Sequence, residues 1–87
     1  KAKLAGQVLD AVTRAPLSEV SVTLSAATGE APITVLTDTD GKFHFIDLMP
    51  KAYTLSVEKA GYQQQSGNVT LSSGEDKVLN IELVPEP

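Results

Sequence analysis

The 87-residue chain has no cysteine, no tryptophan and a single histidine. Without cysteine there is no disulfide framework, no thiolate zinc site and no thiol nucleophile. That absence fits any redox compartment, although small eukaryotic secreted domains often carry a staple. One histidine cannot supply the ligand set of a zinc peptidase. Aromatic residues make up only 5% of the chain, which counts against a surface built to stack sugar rings or bases. Positive charge is also scarce: Lys+Arg number 7 against 11 Asp+Glu, a net charge of −4. The cations are scattered, which excludes nucleic acid and anionic lipid as partners, because both require clustered Lys and Arg. No apolar run approaches the length of a bilayer span. No segment of ten or more residues repeats its apolar positions every 3.6 residues, so no substantial helix is expected.

What is present is alternation. Thr37-Asp38-Thr39-Asp40-Gly41-Lys42-Phe43-His44-Phe45 reads as strand, tight turn and strand, with Phe43 and Phe45 on one face. Tyr53, Leu55 and Val57 share a face two elements later. The spacing predicts seven strands: Leu4–Leu9, Glu19–Ser25, Ile33–Thr37, Lys42–Phe45, Tyr53–Lys59, Asn68–Leu71 and Lys77–Val84. Val20, Val22 and Leu24 are expected to face inward, as are Val69, Leu71, Leu79, Ile81 and Leu83. In all, about sixteen side chains point to the core by this alternation. Pro16 is expected to block ladder pairing in the Asp10 to Pro16 connection. Ala26–Pro32, Ile46–Ala52 and Ser72–Asp76 read as loops, and Gln63–Gly67 as an exposed polar stretch. The fold expected is an all-β, seven-stranded antiparallel Greek-key sandwich with one core. Residues 1–84 form that domain. Residues 85–87, Pro-Glu-Pro, read as a linker remnant. With no initiating methionine and no signal-peptide pattern, the chain is expected to be a module of a longer protein.

Several of these segments resemble one family in order and spacing. Gly6-Gln7-Val8-Leu9-Asp10 follows a "G-x-V-x-D" opening, and Thr13 with Pro16-Leu17 follows "T-x-x-P-L". Thr37 to Phe45 follows "T-D-x-D-G-x-F-x-F". Leu48, Pro50, Tyr53, Leu55, Val57 and Ala60-Gly61-Tyr62 follow "L-x-P-G-x-Y-x-L-x-V-x-x-x-G-Y", with Lys51 where that pattern has glycine. The chain thus resembles the carboxypeptidase regulatory-like domain, a transthyretin-like (prealbumin-like) sandwich. The resemblance implies a non-catalytic accessory module beside a peptidase domain, in a surface protein, in an outer-membrane receptor or in a tandem stalk. Collagen-adhesin B-type repeats are similar in shape and can carry a Lys–Asn crosslink. On that alignment the lysine position falls on Val8 and the acid position on Val57, so no crosslink is expected; Asn80 should point outward.

A few residues invite chemistry. Asp38 and Asp40 before Gly41 are weak candidates for a calcium loop, although the further ligands and the bidentate Glu of such a loop are missing. Asp and Gly in that order also build a hairpin turn. His44, between inward phenylalanines, should face solvent, where it is a poor general base. Glu19, Glu58, Glu75, Asp76 and Glu82 would serve glycoside hydrolysis only as a pair across a cleft. Tyr62 with Gln63, Gln64 and Gln65 is the candidate binding surface; alternatively, Tyr62 plugs the end of the sandwich and the glutamines are solvated. Asn68-Val69-Thr70 is a glycosylation sequon, relevant only in a eukaryotic secretory route.

The function expected is therefore a non-enzymatic, extracytoplasmic accessory module: a spacer or protein-interaction domain of a surface, periplasmic or secreted protein. No cofactor and no metal are expected. Its expected partners are other domains of the parent chain, and a protein or glycan at a loop end. A carbohydrate-binding module and a domain attached to a metallocarboxypeptidase are the alternatives.

Overall fold

The structure is a computed structural model that describes residues 1–26 and 31–86. It contains seven strands: β1 (Ala2–Asp10), β2 (Ser21–Ala26), β3 (Ile33–Leu36), β4 (Lys42–Leu48), β5 (Ala52–Glu58), β6 (Gln65–Thr70) and β7 (Asp76–Leu83). No helix occurs among the described residues. The strands form a three-stranded sheet ordered β4-β1-β7 and a four-stranded sheet ordered β3-β2-β5-β6. The chain changes sheet in every connection except the β2–β3 and β5–β6 pairings, which gives the expected Greek-key sandwich, transthyretin-like in arrangement. Residues 27–30 of the expected Ala26–Pro32 loop lie outside the described residues, as does the last residue of the expected linker.

Alternation decides which face is buried. Along β1, Ala2, Leu4, Gly6, Val8 and Asp10 point inward, and every one is buried. Gly6 is required there, because a Cβ would stand 2.5 Å from the Phe43 ring and 2.4 Å from the Leu79 carbonyl oxygen. Val22 and Leu24 of β2, Phe43 and Phe45 of β4, and Tyr53, Leu55 and Val57 of β5 complete the centre of the core. Leu79 and Ile81 are only half-buried, unlike Leu83, because β7 is an edge strand.

Three segments depart from the sequence reading. Ile46 to Leu48 continues β4 instead of forming a loop. Asp47 takes a left-handed conformation (φ 56°), and the register shifts between the Ala2–Leu48 and Leu4–Phe45 pairs. This bulge returns Leu48 to the core face. Gln65 to Gly67 belongs to β6, paired with Leu55 to Val57; an edge strand needs an apolar residue only where it meets the core, so a polar run can still be a strand. Pro16 does not prevent pairing. It forms an isolated bridge with Leu9 whose bonds come from its neighbours, Asp10 N–H to Ala15 O (2.9 Å) and Leu17 N–H to Val8 O (3.0 Å).

One of the ladders is parallel. The terminal strands β1 and β7 run side by side from Lys3–Asp76 to Asp10–Leu83. The chain therefore enters β1 at one end of the sandwich, here the N-pole, and leaves β7 at the other, the C-pole. The molecule measures 38 × 22 × 16 Å along its principal axes.

Candidate functional site

Asp38, Asp40, Tyr62, Gln63 and Gln64 lie at the C-pole, where four stretches of chain meet: Asp10 to Glu19, Thr37 to Gly41, Lys59 to Gln63 and Val84 to Glu86. Asp10 is the last inward position of β1, and it is buried with only 7% of its surface exposed. A carboxylate so placed must be hydrogen-bonded. Its Oδ1 accepts the N–H groups of Val12 (2.7 Å) and Thr13 (3.1 Å), which folds the next turn, and its Oδ2 accepts the Tyr62 hydroxyl at 2.7 Å. The Tyr62 bond, followed by the two amides, holds the Asp10 carboxyl below its ordinary pKa. The same bond, with burial, pushes the Tyr62 phenol up.

Thr37 forms a second node and is 3% exposed. Its hydroxyl donates to Leu17 O (2.7 Å) and accepts from Val20 N–H (2.9 Å), fastening the β1–β2 connection to the end of β3. Asp38 forms the third. Its Oδ1 accepts the N–H groups of Asp40 and Lys42, both at 2.9 Å, and Gly41 takes φ 73° to close the turn. The Lys42 amide is the main reason the Asp38 carboxyl sits below its usual range. The first calcium candidate thus uses a carboxylate oxygen within its own turn, and the second, Asp40, offers its main-chain oxygen to Gln7 Nε2 at 2.8 Å. Among the described residues, no three His, Cys, Asp or Glu side chains gather into a metal-holding group.

The proposed binding residues divide. Tyr62, Gln63 and Gln64 line one open groove with Glu58, Lys59 and Glu86. Gln65 does not line it; its side-chain amide turns to the Glu82 carbonyl and ties the two sheets at their edge. The groove floor is main chain knitted together: Gln63 N–H donates to Val84 O (2.8 Å) and Glu86 N–H to Gly61 O (2.9 Å). His44 is exposed on the outer face of the β4-β1-β7 sheet, apart from this groove. The acids are dispersed. Glu75 sits at the N-pole, where its Oε1 accepts Ser72 N–H (2.9 Å), and that bond lowers its pKa. Glu82 pairs instead with Arg14. Val8 and Val57, the aligned crosslink positions, are core side chains without a reactive group, and Asn80 is exposed. Asn68 is exposed on the edge strand β6.

Asp10 and Thr37 are the structural nodes that a search for chemistry passes over. The signal for Asp10 was available: it shares the inward face with Leu4, Gly6 and Val8, so a buried carboxylate in need of a donor was readable from the alternation.

Comparison with known proteins fits this arrangement. A family model described as the carboxypeptidase regulatory-like domain matches residues 3–84. The chain belongs to that family. A segment of the TonB-dependent transporter Oar of Myxococcus xanthus is 33% identical over 82 residues, which is 93% of this chain and 8% of that protein. The chain therefore spans a small fraction of the relative it matches. Among solved structures, 5-hydroxyisourate hydrolase of Klebsiella pneumoniae superposes with a TM-score of 0.79 at 21% identity, covering 97% of this chain and 85% of that one. A minor pilin of Streptococcus agalactiae superposes with a TM-score of 0.76 at 24% identity, covering 99% of this chain and 44% of that one. At such identities the likeness is one of fold, and this fold is seen in an enzyme as well as in a pilin.

Proposed function

We propose that this carboxypeptidase regulatory-like domain is a non-catalytic, extracytoplasmic accessory module, an in-line spacer or protein-interaction domain within a larger surface, periplasmic or secreted protein. The observation that carries the reading is the parallel pairing of β1 with β7, which sets the two chain ends at opposite poles. A domain with that geometry extends a protein along its length. Support comes also from the relative, in which a matching segment is a small part of a transporter. Asp10, Thr37, Asp38 and Tyr62 at the C-pole are engaged in holding loops, which supports assigning any catalysis, including that of an attached metallocarboxypeptidase, to another domain.

Fractionation of the native cells with an antibody against the chain, followed by intact-mass measurement of the captured protein, tests the proposal. The expected result is a species much larger than 9.2 kDa in an envelope or secreted fraction. A 9.2 kDa cytosolic species would overturn it. The groove at Tyr62, Gln63 and Gln64 favours carbohydrate binding as the second reading. Titration with soluble polysaccharides, watched at the Tyr62 ring resonances, tests it; no shift with any of them removes it.

A further inference from the structure

We infer that the β1–β7 ladder is a force-bearing clamp, so that the domain resists tension applied through its two ends. In a parallel pair, pulling the first strand from its N-terminus and the last from its C-terminus slides them past each other along their own axes. All pairs are then loaded together. The same ladder pulled apart from one pole is loaded one pair at a time and yields at lower force. Here the register runs over eight consecutive pairs without a shift, from Lys3–Asp76 to Asp10–Leu83.

Three further features keep the load on that ladder. Both of its ends are closed by main-chain bonds just beyond the register, Lys3 N–H to Glu75 O (2.8 Å) and Ala11 N–H to Leu83 O (2.9 Å). Past β7, the pairing of Val84 and Glu86 with Gln63 and Gly61 ties the exit segment down, which opposes sideways peeling. β1 is also the central strand of its sheet, with β4 on its other side, and its Ala2, Leu4 and Val8 side chains are fully buried. Drawing β1 out must shear a second ladder and drag these side chains through the core. The mechanical property belongs to the fold; its use in the cell rests on the in-line spacer reading above.

Single-molecule pulling on the whole chain tests the clamp by changing only the direction of load. One molecule carries handles at its two ends. The other carries them at the N-terminus and at Ser73→Cys, in the exposed turn before β7, which lies at the same pole as the start of β1. The chain has no other cysteine, so attachment is unique. The expected rupture force is several-fold higher in the end-to-end geometry. Unfolding there should occur in one step releasing the whole chain, at about 3.5 Å per residue. Equal forces in the two geometries would overturn the clamp. So would end-to-end unfolding in several small steps, a readout that needs no substitution. Neither result bears on where the parent protein resides, so failure of the clamp and failure of the spacer reading are separable.

Discussion

The two poles of the sandwich are closed in different ways. Among the described residues, two side-chain bonds that shape N-pole loops are local: Tyr53 hydroxyl to Met49 O, four residues away, and Ser72 N–H to Glu75, three residues away. At the C-pole local bonds at Asp10 and Asp38 are joined by ones that reach across the chain: Asp10 to Tyr62 spans 52 positions, Lys59 to Ser18 spans 41 and Thr37 to Leu17 spans 20. Local bonds shape one loop each. Distant ones hold separate loops in a fixed mutual arrangement, at the pole where the chain exits. The segments that carry the family resemblance include Asp10, Thr37, Asp38, Gly41, Gly61 and Tyr62, and all of these lie at the C-pole. The signature is therefore, in large part, the description of a polar clasp.

The largest effects should come from glycines that have the same backbone but different surroundings. Gly41 and Gly74 both sit in the left-handed region, at φ 73° and 75°. A Cβ at Gly74 meets nothing within 4 Å, whereas at Gly41 it stands 2.6 Å from the Val8 carbonyl oxygen. Gly74→Ala is expected to lose about 1–2 kcal/mol, the penalty of an L-residue in this conformation. Gly41→Ala should lose a further ~1–3 kcal/mol through steric overpacking. Urea unfolding checks the pair, and equal losses would erase the asymmetry between the poles. Next, Thr37→Val removes both bonds of a buried hydroxyl and should cost about 1–3 kcal/mol, with Thr37→Ser restoring most of it. Its N-pole counterpart, Tyr53→Phe, removes one bond and should cost about 1 kcal/mol.

The pH dependence should be smaller in extent and two-sided. Asp10 and Asp38 at the C-pole, and Glu75 at the N-pole, have pKa values lowered by folding. Their contribution is complete above the unfolded carboxylate values, about 4, and is lost as pH falls through the lower folded values. Tyr62 has a raised pKa, so its contribution holds below the unfolded value of about 10 and is lost as pH rises through the folded one. Thermal melts across pH should show a plateau between these limits. Tyr62→Phe should remove the alkaline decline due to this phenol and shrink the acid one, because both depend on the same bond. The smallest effect is expected from Arg14→Ala. That residue pairs with Glu82 at an exposed site, and in physiological salt the melting temperature should hardly move.

Strand existence and core composition were legible in the sequence because period-2 alternation is a local property. Phe43, Phe45, Tyr53, Leu55 and Val57 are buried as their spacing requires. The boundaries at Leu48 and Gln65 were not legible. The first depends on a bulge at Asp47, whose left-handed conformation is not announced by glycine. The second depends on pairing with β5, a contact distant in sequence. The parallel β1–β7 ladder was hidden for the same reason, since strand direction within a sheet follows from the whole winding. At the C-pole the local turn is legible in the sequence, but the long-range partners are not. Asp38 fits the turn reading, since its carboxylate binds the Asp40 and Lys42 amides of its own turn, whereas Tyr62 binds Asp10, 52 positions away, a group that a linear reading does not place beside it.

A double-mutant cycle on Asp10 and Tyr62 tests the clasp most directly. Asp10→Ala, Tyr62→Phe and the double variant are unfolded in urea, and their midpoints are compared with that of the wild-type chain at unchanged slope. The predicted result is strong coupling, with the double variant no less stable than Asp10→Ala alone, because the phenol has already lost its acceptor. Additive losses would show that the two side chains act independently, and would contradict the clasp.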